Sequence, residues 1–241
     1  MPSVRTPALV LRKFDFGETS QVLHLLTRDH GRVHALAKGS LKEKSAFLGP
    51  IDLLELGEAR IYPRRDGLAI LGGFERETAF PGARRVLERL EGAFAVLEIL
   101  AESSREDQAD PALFDLGVET LRGLEECPAD RVVLAVLRFD LRALGVLGVG
   151  PVLRTCVACG EGLAEEKSPL LSPARGGALC GACSGQDAMA LNATRGVLAA
   201  LAGIAEGARV SLGPRDRRQA RRLVDALLRH ALEKAVRGTR K

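Results

Sequence analysis

The chain has 241 residues, 46% hydrophobic, 27% charged and 4% aromatic, a globular balance that excludes a disordered or collagen-like polymer. No apolar run approaches the roughly 20 residues needed to span a bilayer, and the N-terminus lacks the apolar stretch of a secretory signal, so a cytoplasmic location is expected. The net charge of +4 is unevenly placed: residues 81–150 carry 8 basic against 13 acidic side chains, and residues 191–241 carry 12 against 4, a pattern suited to a polyanion-facing surface.

In chain order, Ala8–Phe16 is prone to form a strand, and Gln21–Thr27 follows after a Gly-Glu-Thr-Ser turn. Arg28-Asp29-His30-Gly31 reads as a turn with glycine placed for a left-handed backbone. In Arg32–Lys38, Val33, Ala35 and Ala37 alternate with Arg32, His34, Leu36 and Lys38, the period of a half-buried strand. A basic loop, Gly39–Ser45, precedes strands expected at Ile51–Leu56, Ala59–Tyr62 and Leu68–Phe74. Short antiparallel strands in this number fit a five-stranded OB-fold barrel. After Pro81-Gly82 the period becomes helical: helices are expected over Ala83–Ala101, from Pro111, over about Ala129–Leu147, after a cap at Asn192, and over Pro214 to about Val236. The fold class is therefore α+β and multidomain. Residues 1–80 are expected to form the barrel, of a type that binds nucleic acid, and 81–151 the first part of a helical domain. Residues 152–188 are inserted into it, and 189–241 complete it with basic helices.

The inserted segment carries Cys156-Val-Ala-Cys159 and Cys180-Gly-Ala-Cys183, two C-x-x-C pairs separated by 20 residues. A two-residue gap lets two thiolates converge on one tetrahedral ion. The glycines that follow free backbone amides to turn toward sulfur, so Cys156, Cys159, Cys180 and Cys183 are expected to hold one structural Zn2+ per chain. Buried free thiols or two vicinal disulfides are the alternative. Cys127 lies outside the cluster and reads as a small helix-end or core residue.

Catalytic signatures are missing. The loop Gly39–Ser45 has the wrong glycine spacing for a phosphate-binding loop, and Gly145–Gly150 has the wrong order for a dinucleotide fingerprint. Neither G-x-S-x-G nor H-E-x-x-H occurs, and no histidine begins the H-x-E of a zinc deaminase. No catalytic residue is expected. The basic side chains suggest binding instead: Arg12, Lys13, Arg32, His34, Lys38, Lys42, Lys44, Arg64 and Arg65 are candidates for phosphate contacts on the barrel. Stacking candidates are Phe14, Phe16, Phe47, Tyr62 and Phe74; several belong to the core, so a modest stacking contribution is expected. In the last helix, Arg215, Arg217, Arg218, Arg221 and Arg222 could meet duplex DNA, an acidic protein partner or the acidic middle helices.

The order of motifs carries a resemblance. Leu25–Ser40 reads L-L-T-R-D-H-G-R-V-H-A-L-A-K-G-S and is followed by Lys-Glu-Lys-Ser at 42–45. Phe139–Gly148 reads F-D-L-R-A-L-G-V-L-G and leads into T-C-V-A-C-G and then G-G-A-L-C-G-A-C. The chain resembles the bacterial RecO recombination-mediator family along essentially its whole length. The resemblance implies an N-terminal OB-fold, a central helical bundle and a zinc-binding segment. It also implies binding of single- and double-stranded DNA, annealing of complementary strands without ATP, and work with RecR to help RecA replace single-strand-binding protein, whose acidic tail is a further contact. A nucleoid-associated place in the cytoplasm follows, and no catalytic residue is lent. The second reading is a protein–protein adaptor whose basic last helix binds an acidic partner, with incidental DNA affinity.

Overall fold

Small and branched apolar residues at every second position close the first five strands on themselves. The computed structural model describes residues 3–64 and 67–238, and there β1 (Val4–Phe16), β2 (Ser20–Thr27), β3 (Gly31–Ala37), β4 (Leu56–Tyr62) and β5 (Ala69–Thr78) form a closed barrel in the order β1-β2-β3-β5-β4. All neighbours are antiparallel except β3 and β5, which run parallel. Val10, Leu23, Leu25, Ile61, Leu71 and Phe74 fill the interior. Closure leaves no open sheet edge.

A bulge between Val10 and Arg12 interrupts the pairing of β1 with β2. Ala8 and Val10 point into the core. An unbroken period of two would send Arg12, Phe14 and Phe16 inward as well. The extra residue turns them outward, and all three are exposed.

The strand expected over Ile51–Leu56 begins only at Leu56. Backbone groups of the preceding residues have other partners. The Gln21 side chain donates to Ile51 O at 3.1 Å and accepts from Ile51 N at 3.0 Å, copying a strand neighbour with an amide. Glu55 O accepts from Val10 N at the bulge, and Leu54 sits at φ 59. The expected helix over Ala83–Ala101 is likewise divided into α1 (Pro81–Arg84) and α2 (Leu87–Ser103), because Val86 between them is extended at φ −127, ψ 125.

The strands give way to helices near residue 80, and the compact units of the chain are 1–129 and 130–241. The first holds the barrel, α1, α2 and α3 (Pro111–Leu124). Pro111 occupies the first turn of α3, and Asp110 caps it by accepting from Leu113 N at 2.9 Å. Arg32 ties β3 to the helices: its backbone N–H donates to Arg105 O and its Nη1 to Ala101 O, each at 2.8 Å.

The second unit holds α4 (Val132–Val146), a three-stranded sheet, α5 (Arg195–Ala205) and α6 (Pro214–Gly238). The sheet has the order β7-β6-β8, from β6 (Leu170–Ser172), β7 (Gly177–Leu179) and β8 (Leu191–Asn192). Asn192, expected to cap α5, instead ends β8, and the cap is Thr194, whose side chain accepts from Val197 N. Leu223, Val224, Leu227 and Leu228 of α6 are buried, as their helical spacing indicates. Arg221 reaches the buried Asp140 of α4 at 2.7 Å and Asp225 at 2.6 Å. Burial pushes the Asp140 carboxyl up to about 6 against the pull of Arg221, and its Oδ1 has no hydrogen-bond partner. Among the described residues no helix is long and apolar enough to cross a membrane.

Candidate functional site: a thiol cluster and a cationic barrel face

In the second unit the Sγ atoms of Cys156, Cys159, Cys180 and Cys183 lie within 4.8 Å of one another, and Cys159 and Cys180 are 3.8 Å apart. Four sulfurs about 2.3 Å from a central tetrahedral ion are separated by about 3.8 Å. The cage therefore has the right size and donor set for a metal ion.

Local structure builds the cage as two turns. In the first, Cys156 N donates to Glu161 O and Gly160 N to Cys156 O, both at 2.8 Å. Gly160 takes φ +80, which a side chain would strain. In the second, Cys180 precedes a 3-10 turn over Gly181–Gln186. The Glu166 carboxylate braces it by accepting from Gly181 N and Ser168 N, and those amides, Ser168 first, hold its pKa down. Val152 joins the two turns: its N–H donates to Gly176 O, and its carbonyl accepts from Ala178 N. Backbones meet so closely there that a Cβ on Gly177 would lie 2.4 Å from Val152 O.

The thiols share one electrostatic environment. Burial opposes ionisation of Cys156, but the amides of Cys180, Cys159 and Ala158 facing its sulfur draw its pKa down to about 6. The hydrogen bond with Cys180, aided by burial, pushes Cys183 up to about 12. Full deprotonation of all four calls for a positive charge at their centre. Cys127 lies in the first unit, apart from the cluster.

The basic candidates of the barrel separate into engaged and free groups. Lys13 pairs with Asp52 at 2.7 Å, Arg32 holds the helices, and His34 Nδ1 lies 3.6 Å from Glu106. Arg12, Lys38, Lys42, Lys44 and Arg64 are exposed and have no hydrogen bond or ion pair among the described residues. Arg65 lies outside the described residues. The loop after β3 folds back on the β1–β2 turn, since Gly39 N donates to Ser20 Oγ and Leu41 N to Thr19 O. Lys38 and Lys42 are thereby brought beside the end of the hairpin that carries Phe16.

Register assembles the rest of the face. Arg12 pairs with His24, and His24 with His34, so the three stand in one cross-strand row. The two imidazoles stack with centroids 3.8 Å apart and planes 20° from parallel, and Phe14 tilts over His24 at 5.2 Å. Burial first, then the neighbouring His34, Arg12 and Arg32, holds His24 below its ordinary pKa. Of the stacking candidates, Phe47 and Phe74 are in the core, whereas Phe14, Phe16 and Tyr62 are exposed. Sequence reasoning missed His24; its pairing with His34 could be inferred only from hairpin register.

In α6, Arg215, Arg218 and Arg222 are exposed. Arg217 donates to Leu212 O and Asp130 O, and Arg221 belongs to the Asp140 network.

Fold and sites together define an OB-barrel protein with a helical unit that carries a four-cysteine cluster suited to a metal ion. Residues 1–75 match the family described as Recombination protein O N terminal, and residues 84–240 match Recombination protein O C terminal. The chain is 31% identical over 231 residues to the DNA repair protein RecO of Myxococcus xanthus, covering 96% of this chain and 93% of that one. To the protein of the same name from Anaeromyxobacter dehalogenans it is 33% identical over 248 residues, covering 100% and 96%. The chain belongs to the RecO family of DNA repair proteins.

Proposed function

We propose that the chain is a non-enzymatic DNA-binding recombination mediator: it binds single- and double-stranded DNA and anneals complementary strands without ATP. The observation that carries this reading is the set of unneutralised cations Arg12, Lys38, Lys42, Lys44 and Arg64 on an OB barrel. Lysine and arginine at such positions replace the counterions of a phosphate backbone. A surface that screens two strands at once lowers their mutual repulsion and speeds pairing. With RecR as partner, the protein helps RecA load onto DNA covered by single-strand-binding protein, in the cytoplasm at the nucleoid.

The thiol quartet is read as a structural Zn2+ site held by Cys156, Cys159, Cys180 and Cys183. The ion neutralises the thiolates and cross-links the two turns; all four coordination positions are filled by protein. A second reading, an adaptor for an acidic partner such as the tail of single-strand-binding protein, is favoured by the exposure of Arg215, Arg218 and Arg222 on α6.

Annealing of two complementary labelled strands by the pure protein, without nucleotide and at two salt concentrations, tests the mediator. Acceleration that fades at higher salt is the expected result. No acceleration at low salt by folded, metal-loaded protein rejects annealing and leaves the adaptor.

A further inference from the structure

The loop between β3 and β4 carries the most exposed large apolar side chain among the described residues. Leu48 is 93% exposed, while Phe47 beside it is 4% exposed and belongs to the barrel core. Ala46 and Pro50 are exposed as well, so the outer side of residues 46–50 is aliphatic. This tip is held from several sides. The Arg76 guanidinium of β5 donates to Phe47 O at 2.7 Å, to Gly49 O at 3.3 Å and to Pro50 O at 2.5 Å. It also pairs with the buried Glu55 at 2.7 Å. Leu48 N donates to Ser45 O and Phe47 N to Ser45 Oγ, and the Gln21 side chain fixes Ile51 just beyond.

Leu48 takes φ 56 and Gly49 φ 114, so a leucine occupies left-handed backbone that glycine or asparagine would adopt with less strain. Either would close this turn and spare the hydration of an aliphatic side chain. A strained backbone that holds an apolar group out in solvent points to a ligand for that group. Its surroundings indicate the chemistry. Lys42 and Lys44 precede the tip in the same loop, exposed and without an ion pair among the described residues, with Glu43 between them. An apolar point beside free cations complements a gap between base pairs, whose walls are apolar and whose edges are phosphates. A branched aliphatic side chain does not lie flat on a single base as a ring does. It fills the wedge-shaped space of an opened base step in duplex.

We propose that Leu48, backed by Pro50, is a wedge that enters one base step of duplex DNA and unstacks it. The proposal rests on the DNA-binding reading above and adds that bound duplex is deformed, at a point set by the β3–β4 loop rather than by the outer faces of the strands. Pyrimidine–purine steps, which open most easily, are the favoured sites.

The full chain is titrated at low salt into a duplex carrying 2-aminopurine at a central TA step, whose fluorescence rises when the base unstacks. The chain has no tryptophan, which keeps the protein background low. Anisotropy of an end label follows binding in parallel. Saturating parent protein is expected to raise the 2-aminopurine signal about two-fold. Leu48→Asn, which suits the left-handed backbone, abolishes the rise and leaves the salt slope of binding unchanged, because no phosphate contact is removed. Leu48→Met, which keeps a long apolar side chain, retains the rise. An unlowered thermal midpoint shows that each variant is folded. Duplex binding by the parent without a rise overturns the wedge while leaving DNA binding intact, and assigns Leu48 to a protein partner. A rise undiminished in folded Leu48→Asn also overturns it. Failure to bind duplex at low salt overturns the DNA-binding reading, and the wedge with it.

Discussion

Asp140 offers a quantitative test of the packing in the second unit. It is fully buried on α4 and faces Arg221 of α6 at 2.7 Å, with Asp225 on the far side of the guanidinium and one carboxylate oxygen unpartnered. Burial outweighs the ion pair, and the carboxyl rises from 3.8 to about 6. Between those values the folded protein holds a proton that the unfolded chain has released. The associated stability is complete below about pH 4 and is lost as pH rises through about pH 6. At about 1.4 kcal/mol per pH unit, the loss is about 3 kcal/mol. Asp140→Asn removes the titration, and Arg221 keeps Asp225 at 2.6 Å. Denaturant unfolding of parent and variant is compared from pH 4 to pH 7, so that the carboxylates held down by partners, such as Asp52, Asp187 and Glu206, cancel in the difference. Whatever its absolute stability, the variant is expected to gain about 2 kcal/mol on the parent over that range. A difference that stays flat, or moves the other way, would refute the reasoning and show that Arg221 fully offsets the burial of the charge.

Two more outcomes follow from the candidate sites. Joint Lys38→Ala, Lys42→Ala and Lys44→Ala substitution is expected to weaken single-strand binding and reduce its salt slope by about 2, from about 0.7 per lost phosphate contact; an unchanged slope moves the phosphate site to the arginines of α6. Cys156→Ser, or treatment with a strong chelator, is expected to release one Zn2+ per chain and lower the thermal midpoint. A metal-free protein of unaltered stability would remove the structural role of the ion.

Features set by local chemistry were legible before folding was considered. The cysteine pairs announce themselves because thiolate geometry demands the two-residue gap, and β2 and β3 because one face of each strand is buried. The basic candidates were legible as residue types but not as free or engaged groups. Nothing near Lys13 in the sequence names Asp52, and nothing near Arg221 names Asp140, which is 81 residues away. Ile51–Glu55 looked like a strand because its composition suits one, yet a glutamine side chain took the place of a neighbouring backbone. Phe14, Phe16 and Tyr62 were legible as stacking candidates, but not which side of the barrel they occupy. A one-residue bulge reverses the inside–outside pattern of β1, and hydrophobic periodicity carries no sign of where it falls.

Gly31 opens β3 at φ +69, and a Cβ there would lie 2.3 Å from Gln108 O and 2.6 Å from Arg105 O. The glycine is thus a keyhole for the segment after α2 as well as a turn residue. With Arg32 holding Ala101 O and Arg105 O, the rim of the barrel is sealed by chain that arrives some seventy residues later. A ribosome therefore finishes all five strands before the piece that closes their rim has been made. An expression fragment cut at residue 80 would leave this seam open, whereas one ending at residue 129 carries its own seal.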